Sequence, residues 1–283
     1  MNHVTPGINF NVFYSTFFDQ AQEMRKTLDK MTVLLLIATM LATLTSGRWL
    51  YFSLAMAVLL QVILWHRKNN EKKLREAAHN LQKIAMLQEA FGNQNTNYDV
   101  SSILRMIDNK ITKLARDKEK KQGKSYQYNI PQSNSGIGVL SKMIQENSYW
   151  NFCLWRSAYE KAKIRLVFYI SLLILMTFIL IPIVSDSLDE YLLKFILVIL
   201  SSVYLWEKVE ENFHWKKSST QMEYIETRIE ASSSSITEDF ILYIFSEYTH
   251  MKSTTPPTPK NIYDEEQEII NYNWNIRKSG NST

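Results

Sequence analysis

The stretch from Leu166 to Trp206 most constrains what this chain can fold into. Leu166 to Ser185 contains no charged residue, and a helix of that length is about 30 Å long, the thickness of a bilayer core. Pro182 would kink or end this helix near its outer end. A short acidic turn leads to a second apolar run, Tyr191 to Trp206, which carries Lys194 near its start. Because a lysine stem can extend its ammonium group to the interface, the pattern predicts a transmembrane helical hairpin.

A second hairpin is predicted in the N-terminal third. Met31 to Gly47 and Trp49 to Trp65 are uncharged, and Arg48 stands between them. Buried core helices of a soluble protein are the alternative, but four runs paired by short turns and flanked by Trp and Tyr fit an aromatic belt better. The sequence therefore predicts an all-α membrane protein with two transmembrane hairpins, which make four spans, a helical cytoplasmic insert and a C-terminal helical region.

The positive charges predict the orientation. Lys and Arg cluster before the first and third spans and after the second and fourth, whereas the two turns hold only Arg48 and an acidic cluster. Positive charge stays on the cytoplasmic side, so both termini and the middle segment are expected there. The predicted divisions are residues 1–30, an N-terminal helix; 31–66, the first hairpin; 67–165, a basic insert; 166–206, the second hairpin; and 207–283, acidic C-terminal helices.

Two apolar patterns flank the first hairpin. Aromatic residues recur at helical spacing from Phe10 to Phe18, so this helix either lies in the lipid interface or packs on the protein's own cytoplasmic part. Leu74, Leu81 and Gln88 recur every seven residues after the second span. That spacing predicts a helical stalk whose apolar seam packs on a neighbouring subunit or on its own chain.

Further helices are predicted in the cytoplasmic parts. One runs from about Val100 to Lys118, and the stretch from Lys118 to Gly138 loses periodicity and is predicted to be a loop. A helix resumes at Val139 and continues into the third span. Ser235 and Glu238 have the spacing of a capping box, which predicts that a C-terminal helix begins there.

Charge is divided unevenly between the two cytoplasmic parts. His66 to Arg165 contains 19 basic and 9 acidic residues, whereas Glu207 to Thr283 contains 8 basic and 13 acidic ones. Either the two parts pack on each other and neutralise one another, or the excess positive charge receives an anion. The sequence alone leaves both interpretations open.

No catalytic constellation is visible in the sequence. The histidines are scattered, no Walker loop is present, and the tract Gly136-Ile137-Gly138 is too short for a dinucleotide fingerprint. The single Cys153 lies in an aromatic helix, where lone cysteines usually serve packing. We expect a protein that is not an enzyme and that uses no cofactor and no metal.

Small and polar residues fall on particular faces of the first two spans. Such faces either line a pore on assembly or pack closely between helices, with Gln61 bonded across. No span carries a strongly polar stripe, so a conducting state would need several protomers. The candidate pore-lining residues are Thr39, Thr43, Ser46, Ser53 and Gln61.

A candidate ligand site combines the loop around Lys118 to Tyr128 with the aromatic helix Tyr149 to Tyr159. Aromatic faces stack on bases, and Lys and Arg bind phosphates. The alternative is a solvated loop beside a helix that Trp anchors at the membrane. The candidate ligand-binding residues are Lys120, Lys121, Lys124, Tyr126, Tyr128 and Arg156.

Two stretches resemble a known family. One is Tyr128-Asn129-Ile130-Pro131 followed by IQENSYWNFCLWRSAY, in which Gln145, Trp150, Arg156 and Tyr159 match the pattern; the other is Thr237 to Tyr263. Both are similar to the SMODS-associated four-transmembrane effector family of bacterial anti-phage defence, although that family's Gln-Asn and Ala-Gln-Arg tract is not evident in residues 9–30. The two-hairpin topology also matches.

The resemblance implies a membrane effector in the bacterial inner membrane. A cyclic oligonucleotide would bind the cytoplasmic part, and a homo-oligomer would then open a pore and disrupt the membrane to stop infection. The partners would be the lipid bilayer and this ligand, and no nucleic acid polymer is expected. A non-conducting membrane anchor that recruits a cytoplasmic partner is the alternative. A transporter fits less well, because no intramembrane charge pair is evident from the sequence.

Overall fold

The fold is helical throughout the part of the chain that the structure describes. A computed structural model describes residues 9–92, 100–105, 107–122, 136–185, 187–232 and 236–280, and these contain no strand. The elements are α1 (Phe10–Thr43), α2 (Arg48–Phe91), α3 (Val100–Arg105), α4 (Asn109–Gln122), α5 (Gly136–Leu175), a π-helical turn (Met176–Leu180), α6 (Ile181–Val184), α7 (Leu188–Ala231), α8 (Glu238–Thr254) and α9 (Lys260–Gly280).

Four long helices form two hairpins. α1 packs along α2, and α5 packs along α7. Gly47 turns the chain into α2 with φ +60°, a conformation that favours glycine. Its N–H donates to the Glu190 carboxylate at 3.0 Å, and the Ser187 hydroxyl caps α7 by accepting from the Glu190 N–H at 3.2 Å. The two hairpin turns therefore meet at one end of the molecule.

Two helices of the described chain are long and apolar enough to cross a membrane. They are α2 and the helix that runs from Gly136 to Ile183, and only 11% and 12% of their most apolar windows are buried. The core helix of a soluble protein would be mostly buried. α1 and α7 are not among them. In α1 the uncharged stretch is too short, because the helix ends at Thr43 soon after Lys30. In α7 the apolar stretch is interrupted by Lys194 and bounded by acidic residues at the start of the helix and by Glu207.

The four apolar runs together form a region here called the apolar zone, and large side chains line its outer surface. These runs are Met31 to Gly47, Trp49 to Trp65, Leu166 to Ser185 and Tyr191 to Trp206. Trp49, Trp65, Ile183 and Trp206 are each 70% or more exposed. Exposed aromatic and aliphatic side chains of this size are expected on a surface that faces lipid. Inside it lies a small cluster formed by Leu35, Ala42, Leu50, Ala57 and Leu197.

Pro182 disturbs its helix as expected. The proline has no N–H to donate to the carbonyl four residues earlier. The helix widens into the π-helical turn Met176–Leu180 just before it, and α6 ends two residues after it at Val184. The Thr177 and Ser185 hydroxyls donate to backbone carbonyls one turn back, at 2.9 and 2.8 Å.

The N-terminal helix and the stalk pack on each other within one chain. Phe13 and Phe17 are buried against Leu74, Ala77 and Leu81 of α2. Of the interpretations left open by the sequence, packing on the protein's own chain is therefore the one found for both segments. α1 also continues without a break from Phe10 to Thr43, so the N-terminal segment and the first apolar run are one helix.

A second core joins the C-terminal helices to the second hairpin. It contains residues of α2, α5, α7, α8 and α9, among them Met86, Ile144, Trp215, Phe245 and Ile262. Ion pairs also join cations of the basic part to acids of the acidic part, as in Lys68–Glu207 at 2.7 Å and Lys161–Glu266 at 3.3 Å. The basic and the acidic parts thus neutralise each other in part.

Several element boundaries differ from the sequence-based expectation. The predicted helix after Val100 is broken, because the Asp108 carboxylate accepts from the Lys110 N–H at 2.9 Å and starts α4 there. The next helix begins at Gly136 rather than Val139. α8 is capped by the Thr237 hydroxyl, which accepts from the Phe240 N–H at 3.4 Å, and Ser235 of the predicted capping box lies outside the described residues.

Candidate functional site

A cluster of four charged side chains, here called the collar, joins α1 to α7 below the apolar zone. It consists of Arg25, Asp29, Lys208 and Glu211. The Lys208 ammonium group lies 2.9 Å from the Asp29 carboxylate and 3.0 Å from that of Glu211. The Arg25 guanidinium pairs with Glu211 and lies 3.7 Å from Asp29. The collar therefore fixes the first helix of one hairpin to the last helix of the other.

The collar is electrostatically balanced although it is largely buried. Burial alone would raise the pKa of Glu211, but Arg25 and Lys208 outweigh it and lower that pKa to about 2. Burial alone would lower the pKa of Arg25, but Glu211 and Asp29 raise it above its usual range. Both groups are therefore charged at neutral pH. Removing one member of such a buried pair leaves its partner uncompensated.

A small cavity of about 130 Å³ adjoins the collar. The collar residues form one side of it, and Gln61, Trp65 and Lys68 of α2 form another. The cavity thus lies where α1, α2 and α7 leave the apolar zone. It is large enough to hold ordered water, to which the charged side chains of the collar offer hydrogen-bond partners.

The candidate pore-lining residues have different environments. Thr39 and Thr43 are buried between helices, and the Thr39 hydroxyl donates to the Leu35 carbonyl at 2.8 Å. Ser46 is exposed at the hairpin turn, and Ser53 is half-buried. Gln61 is half-buried and lines the collar cavity. In this conformation the threonines occupy contacts within a single protomer.

A larger cavity of about 240 Å³, here called the junction pocket, lies where the two hairpins meet the C-terminal helices. α1, α2, α5, the end of α8 and the start of α9 line it together with the turn between α8 and α9. Its side chains of chemical interest are aromatic or basic, and they are Phe18, Arg75, His79, Trp155, Lys252 and Tyr263.

The basic groups of the junction pocket are only partly engaged. The Arg75 Nη1 donates to the Thr255 carbonyl at 2.8 Å. Its Nε lies 3.6 Å from a Glu71 carboxylate oxygen and has no hydrogen-bond partner within the described chain. The Lys252 ammonium group donates to the Tyr248 hydroxyl at 3.2 Å. These cations can therefore accept a further anionic partner.

Burial sets the protonation of the pocket. It lowers the pKa of Lys252 to about 8, so this amine is mostly charged at neutral pH. Burial, followed by the charges of Lys252 and Arg75, lowers the pKa of His79 well below its usual value. The imidazole is therefore neutral and offers one donor and one acceptor nitrogen. No acidic side chain is among the described residues that line the pocket.

The turn from Thr255 to Pro259 forms one wall of the pocket and is held by three long helices. The Arg75 guanidinium, the Gln22 amide and the Trp215 indole each donate to one of its backbone carbonyls, at 2.8, 3.3 and 3.0 Å. The Thr255 and Ser218 hydroxyls are 2.7 Å apart. α1, α2 and α7 thus converge on this short segment.

The candidate ligand-binding residues do not gather in this pocket. Lys120 and Lys121 are exposed near the end of α4, which packs mainly on α1. Arg156 is exposed on α5, with its guanidinium 5.8 Å from the centre of the Phe152 ring. Lys124, Tyr126 and Tyr128 lie outside the described residues. From the helix Tyr149 to Tyr159, the residues that line the junction pocket are Asn151, Leu154 and Trp155, the buried neighbour of Arg156.

Aromatic residues of α5 are largely used for packing. Tyr149 stacks on Trp274 with ring centres 5.1 Å apart, and Trp150 stacks on Tyr263 at 6.1 Å. These contacts attach α9 to α5. The helix is therefore not free to present most of its rings to a ligand or to lipid headgroups.

Sequence reasoning missed Arg75, His79 and Lys252. Arg75 was one of the many cations after the second span that indicate orientation. The signal that could have identified it is its place on the stalk: Arg75 and His79 are four residues apart and directly follow Leu74 and Ala78 of the buried face. Polar residues beside an apolar seam need partners, and such partners point to an internal site.

Comparison with known proteins adds no assignment. No family model matches the chain, and neither a curated protein nor a solved structure matches it. Among the described residues, no group of three or more His, Cys, Asp or Glu could hold a metal ion. Burial raises the pKa of the Cys153 thiol, which disfavours the nucleophilic thiolate.

Proposed function

We propose that this protein spans the membrane four times, with its termini and helical body in the cytoplasm. α1 and α7 pack along the two helices that are apolar enough to cross. The charge that interrupts α7 does not face lipid: Lys194 is fully buried and lies 3.7 Å from Glu190. Its stem thus carries the ammonium group back towards the hairpin turn, where an ion pair inside the protein permits a span.

Within the bacterial inner membrane, the protein acts as an effector of anti-phage defence that opens a pore. A cyclic oligonucleotide binds the cytoplasmic part and changes the arrangement of the spans. The resemblance described above supplies this class of function, and the charge of the basic insert favours an anionic ligand.

The observation that carries the proposal is the continuity of the long helices. α1, α2 and α7 each run unbroken from the apolar zone into the cytoplasmic body, and α5 does the same before its π-helical turn. A helix is stiff over such distances, so displacement of its cytoplasmic end moves its membrane end. The collar lies between the two ends and holds the resting arrangement.

Opening requires several protomers. Thr39 and Thr43 are packed inside one chain. The outer surface of the apolar zone carries large hydrophobic side chains such as Trp49 and Phe178. A water-filled path therefore forms only when helices rotate or separate and protomers assemble around it. A homo-oligomer can enclose such a water-filled path although the single spans do not each carry an intramembrane charge.

A non-conducting membrane anchor is the second candidate. Its support is the same burial of Thr39 and Thr43, since close packing explains these residues without any pore. In that case the cytoplasmic helices recruit a partner and the spans serve only for attachment. The two functions differ in a property that can be measured directly, namely whether the membrane stays sealed.

Release of dye from liposomes that contain the purified protein tests the proposal. We expect release with one member of a panel of cyclic di- and trinucleotides and none without ligand. Liposomes without protein and protein with linear dinucleotides serve as controls. Sealed liposomes with every member of the panel, alongside confirmed insertion, would favour the anchor.

A further inference from the structure

We propose that the junction pocket binds a phosphate group and one flat ring of a nucleotide, so that the ligand bridges the two hairpins. This inference rests on the proposed function for its consequence, pore opening. Binding itself can be measured without any pore.

The charges of the pocket fit a phosphate. Arg75 and Lys252 approach it from α2 and from the end of α8, and neutral His79 can donate a further hydrogen bond. Glu71 pairs with Arg75 at 3.6 Å, whereas no ion pair of Lys252 is found among the described residues, so Lys252 brings uncompensated positive charge to the pocket. Arg and Lys together are the usual phosphate ligands of proteins.

The walls of the pocket fit a planar ring. Phe18, Trp155 and Tyr263 line it, and the Phe18 ring contacts the His79 imidazole edge to face, with centres 4.8 Å apart. Stacking on aromatic side chains is tolerant of base identity. Aromatic walls beside two cations therefore favour a phosphorylated heteroaromatic compound over a bare inorganic anion.

The depth of the pocket excludes lipid headgroups as the source of the phosphate. Phe18 precedes the first span by thirteen residues, and Arg75 follows the second span by ten. At the helical rise these separations place the pocket roughly 15–20 Å from the ends of the apolar runs. The ligand must therefore come from the cytoplasm.

The size of the pocket limits what enters it. Its volume of about 240 Å³ is below the roughly 300–1,000 Å³ of most ligand sites. One nucleotide unit is the appropriate size, and a cyclic oligonucleotide would insert one unit and leave the others at the mouth. The pocket thus accommodates a single base and its phosphate.

The position of the pocket couples binding to the membrane part. Phe18 and Arg75 belong to the first hairpin, Trp155 belongs to the second, and Lys252 adjoins the turn that α1, α2 and α7 hold. A ligand that contacts all of them binds one relative placement of the hairpins more tightly than others. Such differential affinity is what shifts a conformational equilibrium.

Calorimetric titration of the full-length protein in lipid nanodiscs tests the site. The probes are inorganic phosphate, AMP, GMP and a panel of cyclic di- and trinucleotides. The variant is Lys252→Met, which keeps the apolar stem and removes the charge, and the matched control is Lys142→Met, at an exposed lysine of α5. We expect the affinity for the best probe to fall about tenfold or more in Lys252→Met and to stay unchanged in Lys142→Met, with equal melting temperatures for both variants.

Three results would overturn the assignment. They are unchanged affinity in Lys252→Met, loss of affinity in Lys121→Met instead, and the absence of binding by any probe. Dye release separates this inference from the proposed function. If a ligand releases dye from liposomes that carry Lys252→Met at the same concentration as from wild type, the pocket assignment is disproved and the proposed function stands. If Lys252→Met abolishes binding but wild-type liposomes release no dye, the pocket assignment stands and the proposed function is disproved.

Discussion

The Arg75 guanidinium donates a hydrogen bond to the Thr255 carbonyl at 2.8 Å, where α8 ends. This contact joins the stalk of the first hairpin to the C-terminal region across 180 residues of sequence. It places a buried cation beside an aromatic cavity and holds the turn that also contacts α1 and α7. The junction pocket owes its shape to this relationship.

The first prediction concerns the collar. Glu211→Gln removes the carboxylate that faces Arg25 and Lys208, leaving two cations without full compensation. Breaking a buried ion pair of this kind costs about 3 kcal/mol, so we expect a lower free energy of unfolding and faster leakage of dye without ligand. Glu210→Gln is the matched control, because Glu210 is the neighbouring residue and its side chain is 64% exposed. Equal behaviour of the two variants would show that the collar does not stabilise the resting state.

The second prediction concerns acid. The folded-state pKa of Glu211, about 2, lies below the unfolded value of 4.5. Its contribution is therefore complete above about pH 4.5 and is lost as the pH falls towards 2. The difference in melting temperature between wild type and Glu211→Gln should shrink over this window.

The third prediction concerns the contact between α2 and α5. A Cβ atom at Gly136 would lie 2.6 Å from the Phe91 ring and 2.7 Å from the Ala90 carbonyl oxygen. Gly136→Ala should therefore lower the free energy of unfolding by about 1–3 kcal/mol, although alanine favours helices more than glycine does. Chemical denaturation in detergent measures the change. Because only the ring clash can be relieved by a smaller side chain, Phe91→Leu should restore part of the loss; a stabilised Gly136→Ala protein would contradict this packing.

The fourth prediction concerns topology. In a Cys153→Ser background, a cysteine introduced by Ser46→Cys lies at an exposed hairpin turn, and one introduced by Lys73→Cys lies on an exposed part of the stalk. A membrane-impermeant maleimide added to intact spheroplasts should label the first and not the second. Both should react after permeabilisation. Labelling of both in intact spheroplasts, or of Lys73→Cys alone, would be incompatible with four spans and cytoplasmic termini.

The fifth prediction concerns the pH dependence of ligand binding. Lys252 loses its proton as the pH rises through about 8, so affinity for a phosphorylated ligand should fall between pH 7 and 9. His79, whose pKa burial lowers well below its usual value, stays neutral throughout. Lys252→Arg should bind equally well at both ends of the range, because a guanidinium does not titrate there. Titration calorimetry at several pH values measures this, and a loss of affinity that persists in Lys252→Arg would assign the effect to another group.

Sequence patterns predicted much of the fold but little of the candidate site. The apolar runs, Pro182 and the heptads around Leu81 act through neighbours within a turn or two of helix, so their effects are readable locally. The proposed ligand residues around Lys120 were chosen from local charge and aromatic content. The pocket instead combines His79 with Lys252, a pairing that no local pattern encodes.

The sequence by itself determined that the described chain is helical, where its apolar segments lie and where the two hairpin turns fall, because helical periodicity and backbone constraints act over a few residues. Only the tertiary structure decided which charges meet. Arg25 reaches Glu211 across 186 residues, Lys194 is buried beside Glu190, and the Tyr149 to Tyr159 aromatics pack against α9 and other helices. These outcomes depend on how whole helices pack against one another, and that packing is fixed by the burial and charge compensation of the assembled molecule.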